Sequence, residues 1–261
     1  MTKAAPPATA REDLELLPDP DHNLSVEEVK LLWSFLHGDI MIGGIRQRLR
    51  EHWGLCPRHS WAHAVVEIEL WQAGAGQRAG HQPFEIGILY EDLLDTMIRK
   101  LTDSRPRSRM SVLTPRGICP ICRDLRGPTI PGIGGGGYAG SDSAALTIEA
   151  NQMIHMRLWA AGTRTLWHVC PSCAGTPNDV NGVLCRPHIL QRGSLTNEDA
   201  RTLVDKLSDT RDLLVPLVES MTQSGRPSTG TADASWIQAL GWFHGWNLPL
   251  ALASLDAESQ P

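Results

Sequence analysis

The chain has 261 residues, 41% of them apolar, which is enough to bury a core in one large domain or two small ones. Its formal net charge is -5, so the molecule as a whole has no electrostatic attraction to nucleic acid or to an anionic membrane. The first residues contain no apolar signal segment, and no later apolar run reaches the roughly 18 residues of a spanning helix. We therefore expect a cytoplasmic protein without a membrane partner.

The first 116 residues predict a tail followed by helices. Residues 1–24 are rich in Pro, Ala and acidic residues and have no periodicity, which predicts a disordered tail. Ser25 and Glu28 form a capping-box pattern before a helix that should end near Gly38, and "IRQRLREHWG" predicts a second helix that stops at Gly54. "SWAHAVVEIELWQAG" and "PFEIGILYEDLLDTMIRKL" also have helical apolar spacing. Residues 25–116 are thus predicted to form a helical region.

Residues 117–192 predict a Cys/His zinc module that contains a glycine-rich loop. The loop, residues 127–140, lacks the Gly-Lys-Ser/Thr ending of a phosphate-binding P-loop. After it, "SAALTIEANQMIHMRLWAAG" again has helical apolar spacing. "TRTLWHVC" alternates like a strand and "NGVLCRPHIL" follows it, so we expect a small zinc-ribbon-like hairpin. The predicted fold class is mainly α: a helical protein with two structural Cys/His zinc sites and this hairpin.

The C-terminal part predicts a long helix, a linker and a short helix. Thr196 is placed to cap the long helix within residues 193–222, which we expect Pro216 to kink. The composition of residues 223–234 is that of a linker. Residues 235–261 predict a short apolar helix, with Trp236 and Leu240 on one side, and a tail. This helix either packs back on the body or docks onto a partner protein.

Four short pairs contain all six cysteines of the chain, and the two ligands of each pair are separated by two residues. Thiolates and imidazoles suit zinc, and this spacing lets both side chains of a pair reach one tetrahedral ion. Two pairs complete one closed site, so the sequence predicts two structural zinc ions per chain, each held by three cysteines and one histidine. The predicted ligands are Cys56, His59, Cys119, Cys122, Cys170, Cys173, Cys185 and His188.

Three competing interpretations of the pairs are open. The cysteines can be ordinary buried residues, "CPIC" resembles a glutaredoxin-type redox motif, and iron–sulfur clusters use similar ligands. Against them stand the four identical spacings, the absence of a strand and helix pattern around "CPIC", and the unusual number of histidines for an iron–sulfur site. His63, four residues after His59, can replace or brace that ligand.

The free energy of loop closure gives only a weak preference for which two pairs bind the same ion. If neighbouring pairs share an ion, the enclosed loops have 11 and 59 residues, and an interleaved arrangement encloses longer ones. The difference in closure free energy favours neighbours by about 2 kcal/mol. This preference is small beside the binding energy of structural zinc. We predict neighbour pairing.

The boxes "GLCPRHSW", "ILYEDLL", "GICPIC" and "VLCRPHIL" resemble those of a family of uncharacterised bacterial Cys/His-rich proteins. The resemblance covers roughly residues 40–190, and it implies zinc binding in a helical protein with no established activity. The chain departs from the family pattern because it lacks a Cys-Pro-x-Cys pair before residue 54 and has an additional "CPSC". The family pattern treats "GICPIC" and "VLCRPHIL" as one unit, which favours interleaved pairing instead.

Three functions are consistent with the sequence. The first is a zinc-stabilised, non-catalytic interaction or accessory protein with an unidentified protein partner. The second is nucleic-acid binding through residues 96–126, where eight basic residues face two acidic ones, a local balance of 8 - 2 = +6. The third is a metal-dependent enzyme with one open zinc site. The residues expected to contact nucleic acid in the second case are Arg99, Lys100, Arg105, Arg107 and Arg109.

Overall fold

The computed structural model describes residues 23–37, 40, 42–72, 83–126, 143–176, 182–222, 227–228 and 230–257. These residues form a mainly helical protein and contain no strand. The glycine-rich loop predicted at residues 127–140 and the tail of residues 1–22 lie outside the described residues. The α-helices are α1 (Val26–His37), α2 (Gly43–His52), α3 (Pro57–Gln72), α4 (Phe84–Asp103), α5 (Arg109–Leu113), α6 (Pro120–Arg126), α7 (Ser143–Gln152), α8 (Ile154–Thr163), α9 (Arg186–Arg192), α10 (Asn197–Ser220), α11 (Ser235–His244) and α12 (Asn247–Ala257).

Helix α3 is the centre of the fold. It contacts α1, α4, α7, α8 and α11, and its residues from Ser60 to Leu70 are all buried. A helix that is buried on every side has no polar face, which explains why its sequence shows little amphipathic contrast. Trp61 is fully buried, and its indole N–H donates to the carbonyl oxygen of Gly245 at 3.2 Å. The first Cys/His pair therefore lies where the chain enters the core.

Two buried glutamates of α3 cap neighbouring helices. Both oxygens of the Glu67 carboxylate accept backbone N–H groups at the start of α4, at 2.7 and 3.0 Å. The Glu69 carboxylate accepts the N–H of Met156 at 2.8 Å, at the start of α8. Because the first N–H groups of a helix have no partner within it, each carboxylate satisfies donors that the helix itself cannot.

The segment of residues 143–162 is helical as predicted, and it contains two helices, α7 and α8. Met153 separates them and adopts the left-handed conformation, with φ of 48°. The contact of Glu69 with the first turn of α8 gives the physical reason, because it stabilises a new helix start at this point. The strongly helical sequence alone contains no signal for such a cap from another helix.

Helix α10 packs along α4 and contacts α11. It begins with the predicted cap: Thr196 accepts the N–H of Asp199 at 3.1 Å, and the carboxylate of Asp199 accepts the N–H of Thr196 at 3.1 Å. Its residues Leu203, Leu207 and Leu214 are buried, and the helix continues through Pro216. At the other end of the chain, α1 has the expected reciprocal cap between Ser25 and Glu28.

The zinc-ribbon-like hairpin predicted between residues 163 and 192 is not present in the described residues. Residues 164–166 form a 3-10 turn, residues 167–170 belong to no helix or strand, and α9 starts directly after Cys185. In a hairpin, the backbone of His168 would form hydrogen bonds with the backbone of a second strand. Here it forms them with the side chain of Gln238. Its N–H donates to Gln238 Oε1 at 2.8 Å, and its carbonyl oxygen accepts from Gln238 Nε2 at 3.3 Å. This pairing leaves no backbone ladder at His168.

The described residues refine the predicted boundaries of the chain. Leu24, placed at the end of the predicted tail, is buried. Residues 230–234, at the end of the predicted linker, form a 3-10 turn. The C-terminal segment packs back on the body, since Trp236 and Leu240 are fully buried in α11, and α12 follows it. Among the described helices, none is long and apolar enough to cross a membrane.

Candidate metal centres

The first cluster contains Cys56, His59, Cys119 and Cys122, and all four residues are buried. Both of its pairs lie at helix starts, directly before and in the first turns of α3 and α6. His59 Nδ1 is 3.2 Å from Cys56 Sγ, 3.7 Å from Cys119 Sγ and 3.3 Å from Cys122 Sγ. Cys56 Sγ and Cys122 Sγ are 3.7 Å apart. Four potential ligands thus converge on one point at the edge of the core.

The second cluster contains Cys170, Cys173, Cys185 and His188. His188 Nδ1 is 3.4 Å from Cys170 Sγ, 3.4 Å from Cys173 Sγ and 3.1 Å from Cys185 Sγ. The sulfurs of Cys173 and Cys185 are 3.7 Å apart. Cys173 and His188 are only partly buried, so this cluster lies closer to the surface than the first. Cys185 is the N-cap of α9, and His188 lies in the first turn of that helix.

The separations between ligand atoms fit a tetrahedral ion. With zinc–sulfur bonds of about 2.3 Å and zinc–nitrogen bonds of about 2.0 Å, two sulfurs lie about 3.8 Å apart, and sulfur and nitrogen about 3.5 Å apart. All six cysteines are free, and a disulfide would need a sulfur–sulfur distance of about 2.0 Å. Both clusters can therefore hold metal ions such as zinc. The structure groups the pairs that are neighbours in the chain, as the loop-closure argument favours.

Hydrogen bonds between thiols prepare one sulfur of each cluster for a cation. Cys119 and Cys56 lower the pKa of Cys122, while burial opposes this effect. In the second cluster, Cys173 and Cys185 lower the pKa of Cys170 in the same way. The same kind of hydrogen bond raises the pKa of Cys56 and of Cys185. The thiolate is the form that binds metal, so the lowered pKa favours this form at Cys122 and Cys170.

A buried carboxylate orients the histidine of the first cluster. Glu28 Oε1 is 3.2 Å from His59 Nε2, the ring nitrogen opposite the one that faces the sulfurs. Arg58 donates to both oxygens of this carboxylate, at 2.7 and 3.0 Å, and the N–H of Ser25 donates to one of them at 2.8 Å. Burial raises the pKa of Glu28, but these hydrogen bonds outweigh burial and hold it well below its usual range. A carboxylate in this position fixes the ring orientation of a metal-binding histidine and makes it a stronger ligand.

A buried guanidinium connects the second cluster to the rest of the core. Arg186 directly follows the ligand Cys185 and is 4% exposed. Its Nε donates to the carbonyl oxygen of Phe243 in α11 at 3.0 Å, and its Nη1 donates to that of Leu113 at 3.2 Å. Leu113 ends α5, six residues before the ligand Cys119. Arg186 therefore joins the helix of the second cluster to the segment that enters the first.

The sequence identified Glu28 only as a capping residue and did not identify Arg186. Their contacts cross 31 residues from Glu28 to His59, and 73 and 57 residues from Arg186 to Leu113 and Phe243. No local pattern signals contacts of this range. His63, considered as a substitute ligand, lies outside the cluster. Its ring is fully buried and packs edge-on against Phe35.

A buried histidine with two hydroxyl neighbours lies between α3, α4 and α11. His244 Nε2 is 3.1 Å from Ser60 Oγ and 2.7 Å from Tyr90 Oη. Gly54, with φ of 94°, makes room for it, because a Cβ there would lie 3.1 Å from that same nitrogen. All three polar side chains are 1% exposed, so no substrate reaches the hydroxyl of Ser60. We interpret the group as a structural contact between helices.

The five basic residues predicted to contact nucleic acid differ in their surroundings. Three of them make contacts within the protein. Arg99 bonds with Asp95 at 3.0 Å, Arg109 donates to Asn197 at 2.7 Å, and the ammonium of Lys100 lies 4.9 Å from the ring centre of Trp53. Arg99 and Lys100 are exposed in spite of these contacts, and so are Arg105 and Arg107.

Further basic residues lie close to Lys100. Burial lowers the pKa of Lys100, and Arg116, Arg99 and Arg50 lower it further by electrostatic repulsion, whereas Glu51 raises it. Arg50 belongs to α2, which is outside the basic stretch of residues 96–126. The fold thus adds a residue from a second helix to the predicted basic region.

Comparison of the chain with protein-family models, with curated proteins and with solved structures found no match in any of the three. The resemblance to a Cys/His-rich bacterial family therefore stays a prediction. The site defines the chain only as a mainly helical protein with two clusters that can hold metal.

Proposed function

We propose that this chain is a zinc-stabilised, non-catalytic interaction or accessory protein that acts in the cytoplasm and holds two structural zinc ions. The observation that carries the proposal is the ligand set, because each cluster supplies four protein ligands. Zinc with four protein ligands has no position for a reactive water, whereas catalytic zinc keeps one position open. A reducing compartment keeps such thiols available for metal.

The location of the clusters supports a structural role. The first cluster connects the start of α3, the central helix, to the start of α6, and its ligands His59 and Cys119 are 60 residues apart in the chain. The second connects the segment after α8 to the start of α9. An apparent binding energy of roughly 10–16 kcal/mol per structural zinc is comparable to the whole stability of a typical domain, about 5–15 kcal/mol. Occupied clusters would therefore determine whether the helices stay packed.

Removal of the metal tests this role. We expect a strong chelator to lower the helical circular dichroism signal and to abolish cooperative thermal unfolding, and we expect added zinc to restore both. Chelator with excess zinc is the control for direct effects of the chelator. Metal-free protein that keeps its helicity and its melting temperature would contradict the proposal.

Exposed apolar side chains on α8 support the proposed protein partner. Ile154 and Leu158 are 50% and 61% exposed and lie one turn apart, so they share a face of the helix. A photocrosslinker at position 154 should join the chain to a partner in cells, and one at the exposed Glu149 of α7 serves as the control. Equal crosslinking from both positions, or none from 154, argues against this face.

Nucleic-acid binding is the second candidate function. Electrostatic repulsion of Lys100 by Arg116 favours it, because it joins a helix and a loop in one basic region. Arg50 adds less to this region, since Asp92 pairs with its guanidinium at 2.8 Å. Such binding depends strongly on salt, with a logarithmic slope of about -0.9 per neutralised phosphate on duplex DNA. A gel shift at low salt tests it, with Arg105→Ala and Arg107→Ala as the exposed variants. The absence of any shift removes this candidate.

A further inference from the structure

The two clusters differ in how far their ligands are shielded from solvent. All four ligands of the first cluster are buried, whereas Cys173 and His188 of the second are only partly buried. Cys173 lies in a turn, and the three residues after it, Ala174, Gly175 and Thr176, are exposed. A chelating molecule from solvent can therefore reach two ligands of the second cluster, whereas protein encloses those of the first.

The histidines of the two clusters differ on the side of the ring that faces away from the sulfurs. His59 Nε2 is 3.2 Å from the buried carboxylate of Glu28, which Arg58 holds with two hydrogen bonds. Among the described residues, every hydrogen bond of the His188 ring joins its Nδ1 to a cysteine sulfur. Loss of a carboxylate partner costs a metal-binding histidine about 10- to 100-fold in affinity. The first cluster therefore holds its histidine in place more firmly than the second.

Hydrogen bonds from the backbone position the thiols of the second cluster. The N–H groups of Cys173 and Cys185 donate to the thiol of Cys170. The N–H of Trp246 donates to the thiol of Cys173. These bonds do not involve a metal ion, so they keep the thiols near the positions that a returning ion needs.

The chain segments that carry these ligands are also held by residues outside the cluster. Gln238 forms two hydrogen bonds with the backbone of His168, which lies two residues before Cys170. Arg186, which follows Cys185, donates to carbonyl oxygens of α5 and α11. The second cluster can therefore release an ion while the surrounding helices stay packed.

We propose that the second cluster is an exchangeable zinc site, which loses and regains its ion while the chain stays folded, and that the first cluster retains its ion. This inference rests on the proposed zinc binding, and it assigns the stabilisation of the fold mainly to the first cluster. The chain then carries two zinc ions when zinc is plentiful and one when zinc is scarce. The surface around Cys173 and His188 differs between these two states, so a partner protein can distinguish them.

The release of zinc from the loaded full chain to the chromophoric chelator pyridylazoresorcinol tests the proposal. We expect two phases of one equivalent each, with rates that differ by about tenfold or more. After the fast phase, the chain should keep its helical circular dichroism signal and its cooperative thermal unfolding. Release of both equivalents at one rate, or loss of helicity together with the first equivalent, would overturn the proposal. A chain that cannot be loaded with zinc would instead refute the proposed zinc binding, so the two failures give different results.

Two substitutions assign the phases to the clusters. Cys173→Ser should stay folded and release a single equivalent at the slow rate of the wild type. Glu28→Gln keeps all eight ligands, and it should accelerate the slow phase about tenfold or more while the fast phase stays unchanged. A Cys173→Ser chain that keeps the fast phase, or a Glu28→Gln chain in which only the fast phase accelerates, would show that the exchangeable ion is not held by the second cluster.

Discussion

Replacement of Glu28 by Gln should weaken metal binding at the first cluster without removing the helix cap. Glutamine at this position keeps the capping-box pattern, in which Glu and Gln serve equally. It removes the negative charge that lies 3.2 Å from His59 Nε2 and between the two hydrogen bonds from Arg58. The variant therefore separates the role of Glu28 in the metal site from its role in the start of α1.

The expected size of the effect follows from the geometry. Loss of a carboxylate partner from a metal-binding histidine lowers affinity about 10- to 100-fold. This range is about 1.4–2.7 kcal/mol, similar to the 1.5–3 kcal/mol of one hydrogen bond to a charged group. The second cluster, which does not contact Glu28, should keep its affinity.

Competition titration with a chromophoric chelator measures both affinities in the full chain. One of the two zinc equivalents should become about 10- to 100-fold easier to extract from Glu28→Gln. Glu27→Gln is the matched control, since Glu27 is an exposed acidic residue of the same helical turn. If both zinc equivalents of Glu28→Gln are held as tightly as in the wild type, the orienting role of Glu28 is refuted.

Three further predictions concern the core. In Gly241→Ala, the new Cβ would lie 2.4–2.6 Å from three ring atoms of Trp246, so we expect the free energy of unfolding to fall by about 1–3 kcal/mol in thermal unfolding. In Gly162→Ala, the new Cβ would have no atom within 4 Å, so we expect the free energy of unfolding to rise by up to about 1 kcal/mol. Burial raises the pKa of Glu67 to about 8 from 4.5, although two backbone N–H groups oppose it. The folded state therefore favours the protonated form of Glu67. The contribution of this side chain to stability is fully present below pH 4.5 and is lost as the pH rises to about 8. In urea unfolding, the free energy of unfolding of Glu67→Gln should therefore rise relative to that of the wild type between these two pH values. Among the described residues, neither ring nitrogen of His63 has a hydrogen-bond partner, and burial lowers the pKa of this histidine to about 3. We therefore expect His63→Leu to stabilise the protein by about 1–3 kcal/mol in urea unfolding. A destabilised variant would contradict this interpretation.

Local patterns were sufficient to predict the helices and their caps. The reciprocal hydrogen bonds of Ser25 with Glu28 and of Thr196 with Asp199 occur where the sequence places them, because a capping box is complete within four residues. The mainly helical fold class is confirmed. The eight candidate ligands could also be identified from the sequence alone, because the two ligands of each pair are separated by only two residues.

Contacts between distant elements could not be predicted from one sequence. The break at Met153 occurs where a carboxylate of α3 caps the next helix. In the described residues, the backbone of His168 bonds with Gln238, 70 residues away, instead of with a strand. Arg186 would be expected at the surface on composition alone, yet its partners are carbonyl oxygens of two other helices. In each case, a polar side chain forms hydrogen bonds with backbone groups of a segment that is distant in the chain. The periodic pattern of apolar residues does not predict such contacts.

The most direct test of the central claim is the metal content and coordination of the purified chain. Elemental analysis combined with zinc X-ray absorption should give two zinc ions per chain, each bound by three sulfurs and one nitrogen at the distances of a closed tetrahedral site. The eight residues of the two clusters could supply these ligands, and four protein ligands per ion would leave no position for water. One ion or none in protein purified without chelator, or an oxygen ligand at either zinc, would contradict the account.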